Sequence, residues 1–312
     1  YKITYNATTN SLTATRVASY EYDAEEETGD VVEDAVYARN RSVEELLGVK
    51  LNPIKFSDNT KETADHLASV VLAGEDLYDL ASVHQAYSKA YVSEGYYHNF
   101  ADDQYIDFDK PWWNTEYMEE MVVGNSRKYF LIGDISLMYM KSLGCIYYNK
   151  DLYESIYKNA DEPYDLVFSG KWTFEKFDEL VRGAYSDLNG NSEADADDAY
   201  GMGAVTASTV DHMTFDSGVR FTKRDKNGIP SMDVVNERSV DFVKKLYSLF
   251  YENEGVRVYP PEQTSLRVDI PNKLINGEMT FMCGYFYSAS LLRDMKADYG
   301  IIPYPKFDEN ID

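Results

Sequence analysis

Apolar residues in the first hundred positions change period several times, and each change predicts an element. Residues 2–8 (KITYNAT) read as a short strand, with a polar loop expected from there to Thr28. From Gly29 to Leu47, the residues Val32, Ala35, Val36, Val43, Leu46 and Leu47 fall on one helical stripe. Gly48 is placed to end that helix. Val49, Leu51, Ile54 and Phe56 then predict a strand, which Pro53 marks as an edge or a bend. A second helix is expected over 59–73, with Ala64, Leu67, Ala68 and Val71 facing inward. The run 78–83 is a compact apolar strand, and 85–93 is helical again. The order β-α-β-α-β-α with short connections favours a parallel, doubly wound sheet.

Past Asp102 the texture changes. Pro111-Trp112-Trp113-Asn114 interrupts a polar stretch, and adjacent tryptophans do not both face one core, so one is expected at a groove or seam. Residues 130–148 form a long apolar passage suited to a crossover between lobes. Asp134, Lys141 and Ser142 interrupt it, which makes it soluble-protein core and not a bilayer span. Thr173 caps a helix carrying Phe174, Phe177, Leu180, Val181 and Ala184. Asn236 starts another with Val240, Val243, Leu246, Tyr247 and Phe250, and 280–285 is strand-like. Two α/β lobes joined by a crossover are the simplest architecture. Sheets of this kind bind ligands outside the carboxyl ends of their strands. That rule singles out the loop 9–28, the stretch after Phe56 and residues 83–86, where His84 is either a ligand contact or a solvated turn residue.

Charge narrows the partners. Lys and Arg total 30 against 54 Asp and Glu, a net −24 that repels phosphate backbones and anionic headgroups. Aromatics at 14% mark a folded chain, and 28 tyrosines against 14 phenylalanines favour contact with a polar, uncharged molecule. Cys145 and Cys283 have no CxxC spacing and read as buried thiols, with a disulfide as the lesser alternative.

The sharpest local motif is the acidic loop 187–198. Asp187, Asn189, Asn191, Asp195 and Asp198 stand at positions 1, 3, 5, 9 and 12 of an EF-hand-like loop, with Glu193 between them. Alternating hard oxygens on a tight loop suit Ca²⁺, which would be structural; a solvated acidic loop is the alternative. Ser192 in place of Gly and Asp198 in place of Glu depart from the pattern. Catalytic signatures are missing: there is no HExxH, no GxSxG and no Walker loop, and the four histidines lack metal-ligand spacing.

Several ordered blocks resemble a known family, the extracellular solute-binding proteins of bacterial ABC importers, in particular their carbohydrate-binding group from Firmicutes. They are YDAEEETGD (22–30) leading into AVYARN (35–40), YDL (78–80), KPWW (110–113), GDIS (133–136), YNKDL (148–152), GKWT (170–173), DLNGN with DAYG (187–191, 198–201), NGE (276–278) and YGIIP (299–303). It is their order along most of the chain that carries the resemblance.

The resemblance implies a two-lobe periplasmic-binding-protein type II fold, each lobe a mostly parallel sheet flanked by helices. It places 1–142 with 297–312 in the first lobe and 143–296 in the second, and the closing helices of the fold beyond Asp312. It further implies a monomer with no catalysis and no required cofactor, exported and lipid-anchored outside the cell. Such a protein closes on a mono- or oligosaccharide and delivers it to permease subunits. The first-lobe contacts implied are Tyr20, His84, Gln85 and Tyr87, with Trp112 or Trp113 at the edge. The second lobe is expected to supply Tyr285 and Tyr287, with Asp211 and His212 from a neighbouring loop. Tyr285 stands where the maltodextrin binders have a tryptophan, and their acidic–arginine pair has no counterpart, so maltodextrin specificity is not implied. A secreted glycan-active enzyme and a surface glycan sensor or adhesin are the alternatives.

Overall fold

The computed structural model describes residues 2–6, 11–15, 24–57, 59–259 and 268–310. The chain divides into two compact units, Tyr1–Tyr139 and Met140–Asp312.

In the first unit, β1 (Lys2–Asn6) pairs antiparallel with β2 (Ser11–Thr15) as a hairpin, so part of the expected polar loop is a strand. Three helices follow: α1 (Val31–Leu47), α2 (Thr60–Ala73) and α3 (Gln85–Ser93). Asp30 and Asn59 cap the first two by accepting backbone N–H bonds, and Gly48 and Gly74 end them in the left-handed conformation. The expected strands at 49–56 and 78–83 are not present. Both segments run without ladder partners, and Ile54, Phe56 and Leu80 stay exposed. A strand needs a neighbour, and among the described residues the hairpin is the only sheet of this unit. The stripe on α1 is correspondingly shallow: Val36 is buried, whereas Val32, Leu46 and Leu47 face solvent. The short α4 (Thr115–Glu120) and α5 (Leu137–Lys141) lead out of the unit.

The second unit is built on one five-stranded sheet. Its strands are β3 (Gly144–Asn149), β4 (Tyr200–Val205), β7 (Val256–Tyr259), β8 (Met279–Tyr285) and β9 (Tyr299–Ile302), in the order β7-β4-β8-β3-β9. β4 runs parallel to β7 and β8, and β3 runs antiparallel to β8 and β9, so the sheet is mixed. A small hairpin of β5 (Thr222–Arg224) and β6 (Pro230–Met232) stands apart. Helices cover both faces of the large sheet, which explains why β4 and β8 read as unbroken apolar runs.

One face packs α6 (Lys150–Tyr157), α7 (Glu162–Phe168), α8 (Phe174–Gly183), α9 (Thr206–Asp216) and α10 (Glu237–Tyr247). Its core contains Trp172, Phe177, Leu180, Met202, Phe242 and Phe281. The other packs α11 (Asp269–Ile275) through Ile270 and Leu274, against Tyr147, Met279 and Met282. Cys145 belongs to the second core and Cys283 to the first, so the sheet separates the two thiols and both are free.

Thr173 caps α8 by accepting from Lys176 N, and Phe174, Phe177, Leu180 and Val181 are all buried. Burying such side chains stabilises by about 1.5–3 kcal/mol each. The end of α8 lies so close to the sheet that a Cβ on Gly201 or Gly255 would sit 2.0 Å from the Val181 carbonyl oxygen. α10 begins at Asn236 and runs into a π-helical turn, Ser248–Glu252. The wider turn brings Leu249 and Phe250 into the core behind Phe242 and Leu246, while Val243 and Tyr247 remain exposed.

Residues 297–312 depart from the expected return to the first lobe. Strand β9 pairs with β3 from Ile146↔Ile302 to Asn149↔Tyr299. Beyond it, Trp172 Nε1 donates to Pro303 O at 2.9 Å, and Phe174 N donates to Lys306 O at 2.8 Å. Tyr304 and Phe307 complete the first of the two cores. Edge pairing and burial fix this segment in the second unit.

Candidate functional site

Four rings gather at one end of the large sheet. Strand β8 delivers Tyr285 at its carboxyl end, and Tyr304 follows the carboxyl end of β9 by two residues. His212 stands on α9, the helix that springs from the carboxyl end of β4. Antiparallel β3 begins here, with Gly144 opposite Tyr285. This is the end at which α/β sheets hold ligands.

His212 meets Tyr285 edge to face at 4.9 Å and 76°, and stacks on Tyr304 at 5.1 Å and 22°. Tyr285 stacks in turn on Tyr287 at 5.0 Å and 11°. Burial decreases along the series, from Tyr304 in the core to Tyr287, 44% exposed at the surface. The backbone beneath is held firmly. Tyr147 OH lies 3.0 Å from the carbonyls of both Tyr285 and Phe286, and Phe286 N donates to Leu143 O. Ser288 Oγ accepts from Tyr285 N and starts the 3₁₀ turn Phe286–Leu292.

Electrostatically the set is neutral at physiological pH. Burial lowers the pKa of His212 below its ordinary value, partly offset by the exposed carboxylate of Asp211. Burial likewise raises the Tyr285 phenol, and raises Tyr304 well above the ordinary value. Uncharged rings backed by fixed dipoles suit a polar, uncharged ligand.

The first-unit candidates take more local roles. Tyr20 lies outside the described residues. His84 is the N-cap of α3, its Nδ1 accepting from Ala86 N at 3.2 Å, with the exposed Tyr87 ring 5.6 Å away. Gln85 Oε1 accepts from Tyr117 OH at 2.7 Å, which ties α3 to α4. Asn114 Oδ1 accepts from Tyr117 N, and its Nδ2 donates to Tyr139 OH. Trp113 is half-buried and donates from Nε1 to Asp107 O, whereas Trp112 is exposed. One tryptophan of the pair thus faces solvent, as the sequence requires. His84, Gln85 and Tyr87 therefore share the first turn of one helix. Tyr117, Asn114, Tyr147 and Tyr304 were not among the expected residues. Each acts through a contact distant in sequence, which no local pattern announces.

The 187–198 loop is closed by its own backbone. Asp187 accepts from Gly190 N and Ser192 N, and Asn189 and Asn191 donate to Asp195. Asn191 Oδ1 accepts from Glu193 N. Asp198 is fully buried, accepting from Tyr185 OH, Leu188 N and Asp195 N. Among the described residues, no three His, Cys, Asp or Glu side chains are grouped to hold a metal. Beside this loop, a hollow of about 530 Å³ is lined by Tyr200, Tyr251, Glu252 and Arg257 at the edge strand β7. None of the four stacked rings lines it.

No family model matches the chain, and no curated protein matches it. Solved structures do. A cyclo/maltodextrin-binding protein complexed with maltotetraose superposes with a TM-score of 0.60 at 14% identity, covering 93% of this chain and 65% of that one. UgpB from Mycobacterium tuberculosis, in complex with glycerophosphocholine, gives 0.57 at 14% identity, covering 88% and 62%. The galacto-N-biose-/lacto-N-biose I-binding protein of an ABC transporter from Bifidobacterium longum gives 0.56 at 15%, covering 93% and 64%. The chain has the fold of these proteins and spans less than two thirds of the length of each. Among the described residues, no helix is long and apolar enough to cross a membrane.

Proposed function

We propose that this chain belongs to the solute-capturing component of an ABC importer, and that it binds a mono- or oligosaccharide without chemically changing it. The observation that carries the proposal is the uncharged ring series His212–Tyr285–Tyr287 at the ligand-holding end of the sheet. Sugars offer apolar C–H faces to such rings and hydroxyls to the polar groups beside them, here the Asp211 carboxylate and the hydroxyls of Tyr285 and Tyr287. The fold likeness to transporter-associated binding proteins supports the same reading. A micromolar dissociation constant corresponds to about −8.2 kcal/mol, within reach of two or three stacks and several hydrogen bonds after ordering costs.

The role implies work outside the cytoplasm, anchored by lipid and serving membrane permease subunits. Titration calorimetry with maltotetraose, lacto-N-biose and β-1,6-galactobiose tests the proposal, and product analysis of the same mixtures tests for hydrolysis. Heat of binding with intact sugar supports capture; cleaved sugar overturns it in favour of an enzyme. Calcium at the 187–198 loop rests on the spacing of its oxygens alone. A melting temperature that rises with Ca²⁺ and falls with chelator supports it, and an unchanged one overturns it.

A further inference from the structure

His212 is held on several sides by groups that cannot answer a second proton. From β3, Gly144 approaches so closely that a Cβ there would stand 2.5 Å from His212 Nδ1. The end of β8 presents the Tyr285 ring, and the segment after β9 presents the Tyr304 ring. Both phenols are neutral, and Tyr304 lies in the core beside the buried Cys283 thiol. The charged group acting on the imidazole is Asp211, its exposed neighbour on α9. Among the described residues, neither ring nitrogen of His212 has a hydrogen-bond partner.

We propose that His212 is a positioning residue of the Tyr285–Tyr287 platform: its neutral ring wedges Tyr285 in place, and protonation releases the wedge, so that saccharide is held at neutral pH and released in acid. The inference rests on the saccharide reading above. An imidazolium carries a charge and two N–H donors, and Gly144 and the faces of the two tyrosine rings present no anionic acceptor to it. Tyrosine faces attract a cation and oppose this effect. Burial acts the other way and lowers the His212 pKa, with Asp211 partly offsetting it.

The test has two arms on the full chain. In the first, ligand-free NMR follows the His212 and Tyr285 ring resonances through about pH 8 to 5, the range over which a histidine titrates. A His212 pKa below the ordinary value, with Tyr285 shifting in step, supports the wedge; a Tyr285 ring indifferent to that titration overturns it. In the second, maltotetraose and lacto-N-biose affinities are measured at both ends of the range for the wild type and for His212→Phe. A wild-type loss of about tenfold, the effect of a one-unit difference in pKa between free and bound states, and a flat ratio in the variant support it. Equal pH dependence in both proteins, or none in either, overturns it. If neither sugar binds at any pH, the saccharide reading fails, and the first arm still decides the role of His212.

Discussion

Tyr287 and Tyr285 make the sharpest residue-scale prediction. Tyr287 is 44% exposed and contributes one of the two stacked faces, so Tyr287→Ala is expected to leave the melting temperature nearly unchanged. Saccharide affinity should fall by roughly fivefold, the equivalent of about 1 kcal/mol for one aromatic contact. Tyr285→Ala removes the ring that touches both Tyr287 and His212, and it should cost more affinity and some stability. Calorimetry and thermal melts separate the two effects. Acid adds a stability signature. The folded-state pKa of His212 lies below its unfolded value, so below about pH 6.5 the unfolded chain binds more protons. That contribution to stability is complete above this pH and is lost as pH falls through the lowered pKa. Legibility at this scale was uneven. Tyr285, Tyr287 and His212 stand together, with His212 on helix α9 where the resemblance implied a loop. Tyr304 and Gly144 were hidden, because each meets His212 from a segment distant in sequence. His84 stood between a ligand contact and a solvated turn residue from its place after an apolar run, and its ring caps a helix.

At the scale of elements, the contact of α8 with β4 and β7 is the tightest joint. Gly201 and Gly255 both face the Val181 carbonyl, where a Cβ would come within 2.0 Å. Backbone cannot yield there as a flexible side chain would, so Gly255→Ala is expected to destabilise by at least about 1–3 kcal/mol. Urea unfolding followed by tryptophan fluorescence would report it through Trp172, which is buried in the same core. Wild-type stability in that variant would refute the close packing. Helices with caps were readable from sequence: Asp30, Thr173 and Asn236 start α1, α8 and α10 at or within two residues of the expected positions. Strands depended on partners. The run 279–285 is flanked by β3 and β4 and forms a strand, whereas the equally apolar run 78–83 has no neighbour and does not. Strand β9 was recognised as a block but assigned to the wrong unit, since its partner lies about 150 residues earlier. The π-turn after α10 leaves no signal in apolar spacing, and it changes which residues of that helix face inward.

For the whole molecule, the distribution of core predicts where cooperativity resides. Both large buried clusters lie within 145–307, inside the second unit. A fragment spanning 140–312 is therefore expected to unfold in one cooperative transition, seen by calorimetry. A fragment that shows no transition would contradict that division. The net charge of −24 sets the other molecular property: it repels polyanionic partners at long range. The most direct measurement of the central claim is titration calorimetry of the full chain, at neutral pH, with the saccharide panel. Binding of at least one sugar with a dissociation constant of about micromolar order, lost progressively in Tyr287→Ala and Tyr285→Ala, is the predicted result. No heat and no thermal shift with any sugar, or an affinity indifferent to both substitutions, would contradict it.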